Sequence, residues 1–133
     1  MTPLLVLDAN VVVASATRAD GFLAFGGHDL VAPAFMWAEA RSSLHEAAWR
    51  GEIEADRSLA ILERVAAGPV QPRDHPGLGH EAWRIADAMG WAKTYDAEYV
   101  ALASLLRCRL VTLDRRLRRG ADRLGFVVGP EEL

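Results

Sequence analysis

Two short strand-like runs in this chain, Leu4-Leu5-Val6-Leu7 and Leu110-Val111-Thr112-Leu113, are each closed by an aspartate, Asp8 and Asp114, and most of the sequence between them has a helical period. A brief, continuous apolar run suits a strand covered on both faces, as in a parallel sheet. Further short strands are expected at Leu30-Val31-Ala32, Val70-Gln71 and Phe126-Val127-Val128. Asp8-Ala9-Asn10 has turn chemistry and predicts a break before Val11-Val12-Val13. A weak helix through Phe22 to Phe25 ends at Gly26-Gly27.

Apolar spacing marks the longer helices. Met36, Ala40, Leu44 and Ala47 define one from Ala34 to Arg50, and Leu59, Leu62 and Ala66 one face of a second, about Ala55 to Ala67. Leu78, Ala82, Ile85 and Met89 give another, closed by Gly90. Thr94 is placed to cap a helix whose Tyr95, Tyr99, Leu102 and Leu106 share a face, and Arg115 to Leu124 is helical as well. Pro69 to Gly79 is the one long irregular connection. Strands alternating with helices predict an α/β fold, with helices on both faces of a parallel sheet, in a single domain over residues 1–133.

Composition narrows the function classes. Hydrophobic residues at 51% and charged residues at 25% exclude a disordered or collagen-like chain. The most apolar stretch, Pro3 to Ala16, is interrupted by Asp8 and Asn10 and is too short to span a bilayer; it also lacks the marks of a signal peptide, so a cytoplasmic protein without a membrane anchor is expected. The single cysteine, Cys108, sits between Leu106 and Leu110 and reads as a buried small hydrophobe. The four histidines have no metal-ligand spacing, and the glycine pairs form neither a P-loop nor a dinucleotide fingerprint. Of the arginines, seven fall between Arg107 and Arg123, which is either a solvated helix face or a local attraction for phosphate in a chain of net charge −3.

Parallel sheets bind ligands beyond the carboxyl ends of their strands. Asp8 and Asp114 would both project there, and Glu39 and Asp96, early in helices that follow crossovers, can reach the same edge. Each acid alone has a local use, as an Asx turn, a surface charge, a dipole complement or an N-cap. Together they would repel in a low-dielectric notch unless a cation entered, and an all-oxygen donor set selects a hard ion, Mg²⁺ or Mn²⁺.

Leu-Asp-Ala-Asn at 7–10, Ala-Glu-Ala-Arg at 38–41, Tyr-Asp-Ala-Glu-Tyr-Val-Ala-Leu-Ala at 95–103 and Val-Thr-Leu-Asp-Arg-Arg-Leu at 111–117 resemble the PIN-domain ribonucleases, in particular the VapC toxins of bacterial toxin–antitoxin pairs. The resemblance runs from Leu4 to Val128. It implies a sheet of order 3-2-1-4-5 and a metal-dependent endoribonuclease cutting structured RNA such as tRNA or rRNA. The metal ligands and catalytic acids would be Asp8, Glu39, Asp96 and Asp114, holding one or two ions, with Asn10 and Thr112 as polar supports. Arg115 and Arg116 are candidates for RNA phosphates. The family also implies homodimerisation and a VapB-type antitoxin, for which Trp49 and Ile53 are candidate groove residues. The competing expectation is a non-catalytic RNA- or protein-binding module of the same fold. The remaining tryptophans read as core or interface residues.

Overall fold

The computed structural model describes residues 2–133; residue 1 of the expected domain lies outside them. Five parallel strands, β1 (Leu4–Leu7), β2 (Asp29–Ala32), β3 (Val70–Pro72), β4 (Arg109–Val111) and β5 (Val127–Val128), form one sheet of order β3-β2-β1-β4-β5. The helices are α1 (Ala9–Thr17), α2 (Met36–Trp49), α3 (Ala55–Ala67), α4 (Leu78–Met89), α5 (Tyr95–Leu106) and α6 (Arg115–Ala121). No helix among the described residues is long and apolar enough to cross a membrane.

The chain first builds outward from β1 to β2 and β3, then crosses to β4 on the other side of β1. The resulting switch point lies between β1 and β4, where a crevice opens beyond the strand ends. Register sets its floor: Leu7 pairs with Val111, so Asp8 follows β1 at the level where Thr112 follows β4. Helix α1 packs with α2 and α3, while α5 packs with α4, β1 and β4. In α5, Ala97, Tyr99, Val100, Ala101, Leu102 and Ala103 are all buried, because its small residues let neighbours approach on several sides.

Several local expectations give way to tertiary context. The break expected after Asp8 is present, but Ala9 and Asn10 already belong to α1 with Val11-Val12-Val13, where the Asp8 carbonyl accepts from the Val11 and Val12 N–H groups and burial outweighs the cost of β-branching. In α3 the buried face is Ile61 and Val65, with Leu62 beside it; Leu59 is exposed, because α3 packs against α1 and α2 through the other stripe. Thr94 occupies the N-cap of α5 but its side chain makes no capping hydrogen bond. Leu113 lies outside β4 and is exposed. The helix from Arg115 tightens to a 3-10 turn at Asp122–Leu124, the Phe22 region is a 3-10 turn at Leu23–Phe25, and Cys108 is half-buried. Trp49 and Trp83 are exposed surface residues.

Candidate active site at the carboxyl edge of the sheet

Asp8 stands where β1 becomes α1. Its backbone is extended (φ −70°, ψ 154°), and although it occupies the N-cap its carboxylate makes no cap bond to the helix. The side chain is 5% exposed and is gripped from the neighbouring strand: Thr112 Oγ1 donates to Asp8 Oδ2 at 2.7 Å. Asn10 Nδ2 donates to the same oxygen at 3.4 Å, and the Leu113 N–H donates to Asn10 Oδ1 at 3.1 Å, so Asn10 bridges the two strand ends.

Thr112 is fully buried, and its hydroxyl also accepts the Asp114 N–H at 3.0 Å. A single hydroxyl therefore fixes the carboxylate of β1 and the backbone that presents Asp114. Asp114 has the local role expected of it, since its Oδ1 accepts from the N–H groups of Arg116 and Leu117 at the start of α6. Its Oδ2 takes no part in that cap, so the local and the chemical uses of this residue coexist.

Glu39, in the first turn of α2, is half-buried, and Tyr99 holds it across the crevice with its hydroxyl donating to Glu39 Oε1 at 2.6 Å. Tyr99 sits one turn beyond Asp96 on α5, so the helix that presents one acid also orients another. In the sequence Tyr99 stands out only as one of four residues on a shared helix face. The signal for its second role was the i, i+3 spacing from Asp96. Burial and the bond to Glu39 push the Tyr99 phenol upward in pKa, so it remains a donor. Tyr99→Phe is expected to leave the fold intact, cost about 1–2 kcal/mol from one charge-assisted hydrogen bond, and lower the activity of the site about tenfold. Thermal melts and turnover of the two proteins check this.

The acids repel one another. Asp8 is pushed up to about 6, first by desolvation and then by Glu39 and Asp96, against the lowering effect of Thr112. Asp96, at the solvent edge of the cleft, is also raised, by desolvation, Asp114 and Glu39, with Arg116 opposing. A cleft of about 590 Å³ brings Glu39, Asp96 and Asp114 together with Trp91, Lys93 and Arg116. Arg115 instead lines a different cavity, beside Arg118 and Arg119. Within the arginine-rich segment, Arg118 pairs with Glu131 and Glu132, and Arg123 donates to the Ala88 carbonyl at 3.2 Å, so part of that charge serves packing. Trp49, at the end of α2, is 84% exposed, and Ile53 beyond it is half-buried against the core.

As the side chains stand, no three acidic, histidine or cysteine residues among those described converge closely enough to grip an ion. The donor chemistry nonetheless fits a hard divalent cation, because Mg²⁺ takes only one or two protein carboxylates and completes its shell with water and substrate oxygens. The raised carboxylates point the same way, since a cation would relieve their repulsion.

Comparison with known proteins places this geometry in context. The profile of the PIN domain matches residues 5–123. The chain is 33% identical over 119 residues to the VapC ribonuclease Mb0985 of Mycobacterium bovis and, equally, to the ribonuclease VapC9 of Mycobacterium tuberculosis, covering 86% of this chain and 88% of each relative. Among solved structures it resembles PAE2754 from Pyrobaculum aerophilum (TM-score 0.78, 24% identity, 99% of this chain and 87% of that one). It also resembles FitAcB from Neisseria gonorrhoeae (TM-score 0.62, 20% identity, 97% and 99%). At these identities the two structures speak for the fold.

Proposed function

The chain belongs to the PIN-domain family and is related to the VapC ribonucleases, and from that premise we propose that it is a metal-dependent endoribonuclease of the toxin–antitoxin kind, acting as a single domain. The observation that carries the reading is the crowding of Asp8, Glu39, Asp96 and Asp114 at the switch point of the sheet, where Asp8 and Asp96 hold protons more tightly than an ordinary carboxylate, first because of burial and then because of neighbouring acids, Glu39 and Asp96 for Asp8, Asp114 and Glu39 for Asp96.

In this reading Asp8, Glu39, Asp96 and Asp114 are the residues that would hold one or two Mg²⁺ or Mn²⁺ ions, each ion taking one or two of these carboxylates and completing its shell with water and substrate oxygens. When bound, the ion lowers the pKa of a water and stabilises charge on the phosphate. The protein's own residues do the rest. Thr112 and Asn10 fix the Asp8 carboxylate, Tyr99 fixes Glu39, and the cap bonds to Asp114 Oδ1 fix the Asp114 side chain at the cleft and leave its other oxygen outside the cap. Arg116 meets the phosphate backbone at the cleft; Arg115, on another wall, contributes at most to a more distant phosphate.

The expected partner is an antitoxin that brings a basic side chain to the acids, with exposed Trp49 and neighbouring Ile53 offering it an apolar hold. A homodimer belongs to the same proposal.

Purified protein is expected to cut total RNA at discrete sites with Mn²⁺ or Mg²⁺, to stop cutting in EDTA, and to lose at least about a thousandfold in rate as Asp96→Asn. Mapping of new 5′ ends reads both the cuts and the target. Equal degradation by wild type and Asp96→Asn would overturn the acid-site assignment. A wild-type protein that neither cuts RNA nor binds Mn²⁺ in calorimetry would point to the non-catalytic binding module.

A further inference from the structure

The helical period puts Tyr95 on one face of α5 with Tyr99, Leu102 and Leu106. In the structure Tyr99 and Leu102 are buried, but Tyr95 is 56% exposed. Its ring is not loose. Phe35 stands beside it at a centroid distance of 5.7 Å and an interplanar angle of 52°, and Phe35 itself packs edge-on against buried Tyr99 at 5.2 Å. An open aromatic face is thus held by a buttress that is rooted in the core.

The ring also divides two clefts. On one side lies the acidic cleft, which contains Lys93 and Arg116, and neither of these cations is in an ion pair among the described residues. On the other lies a cleft of about 510 Å³ walled by Phe35, Ala38, Ser42 and Ser43, with Glu39 and Glu46 at its edges and no cation. Glu39 and Tyr95 border both. A phosphate has electrostatic reason to enter only the first cleft, whereas the second offers hydroxyl groups, an apolar wall and a π-face. Those are the contacts that receive an unstacked base.

We infer that Tyr95 is a base platform: one unstacked base of the RNA lies on its ring over the Ser42–Ser43 cleft, while the adjoining phosphate is drawn to Lys93 and Arg116. This rests on the ribonuclease reading and adds to it a residue that binds substrate and touches no metal. Tyr95 precedes Asp96 directly, so a base held on the ring fixes the backbone next to the acids. The platform requires single-stranded or bulged RNA, since a paired base presents no free face.

The test compares Tyr95→Phe, which keeps the ring, with Tyr95→Leu, which keeps an apolar contact to Phe35 but removes the π-face. Binding is measured with a short single-stranded RNA carrying 2-aminopurine, whose fluorescence falls when it stacks, and with Asp96→Asn in every protein so that no cleavage intervenes. Wild-type and Phe proteins are expected to quench alike. The Leu protein should bind roughly ten- to a hundredfold more weakly and lose the quench. In the cleaving background Tyr95→Leu should raise KM more than it lowers kcat, with an unchanged melting temperature.

Equal affinity and equal quench for Phe and Leu, or no quench by wild type, would overturn the platform. Those readouts do not depend on turnover. Failure of the ribonuclease reading would show separately, as cleavage that is absent or indifferent to Asp96→Asn.

Discussion

Asp8→Asn is expected to abolish RNA cleavage and, in metal-free buffer at pH 7, to make the protein more stable than wild type. The native carboxyl is pushed up to about 6 from an ordinary value of 3.8. The native state therefore binds this proton more tightly than the unfolded chain, and its stability falls as pH rises through that interval. Two units correspond to about 3 kcal/mol at pH 7, which the neutral amide avoids. Below pH 3.8 the wild-type group is itself neutral and the difference closes. Urea titrations of both proteins at pH 4 and pH 7 would read this directly. A variant less stable than wild type at pH 7, or a gap independent of pH, would show that Asp8 is not desolvated as described. A divalent cation should reverse the order by stabilising wild type alone. Cleavage and stability thus move in opposite directions at one residue, as expected where like charges are held together for chemistry and not for folding.

Thr112→Val should be nearly as damaging to activity, although the substitution preserves shape and removes no charge. It deletes a hydroxyl that donates to Asp8 Oδ2 and accepts from the Asp114 N–H. The amide loses its side-chain acceptor, and Asp8 retains only the longer bond from Asn10 to that oxygen. The cost is about 2–3 kcal/mol in stability. Because the Thr112 bond is the main influence holding the Asp8 pKa down, its loss moves that carboxyl further above 6. Thr112→Ser keeps the hydroxyl, loses only a buried methyl, and should restore most of the cleavage at a cost of about 1 kcal/mol. If Val and Ser behave alike in rate, the hydroxyl plays no part in holding the acids.

The alternation of short apolar strands with helical periods was enough to read an α/β fold with a parallel sheet, while the strand order 3-2-1-4-5 followed from the resemblance to the PIN domains. The two aspartates pointed to the correct sheet edge, because a charge is costly inside a strand buried on both faces: β1 ends directly before Asp8, and β4 ends at Val111, with Thr112 and Leu113 leading out to Asp114. Local pattern failed where two packing solutions had similar periodicity. Leu59-Leu62-Ala66 and Ile61-Val65 are both helical stripes, and only the position of α1 and α2 decided that the second is buried. Likewise Val11-Val12-Val13 has strand propensity, which burial against two helices overrides.

Tyr95 and Tyr99 mark the same division within the site. Four residues apart on one helix, they share a face in the helical period, yet Tyr95, at the first residue of α5, is open while Tyr99 is buried and meets Glu39 from α2. Arg115 and Arg116 are adjacent in sequence and line different cavities, because successive residues of a helix point about 100° apart. Residue type and order along the chain determined which groups are available for chemistry: four acids, a threonine two residues before one of them, and an asparagine two residues after another. Which of these groups touch, which share a proton's worth of repulsion, and which aromatic faces water was decided only when β1 and β4 came into register and α2 and α5 closed over their ends. Those contacts join residues as far apart as Asp8 and Thr112, and no local pattern records such a distance.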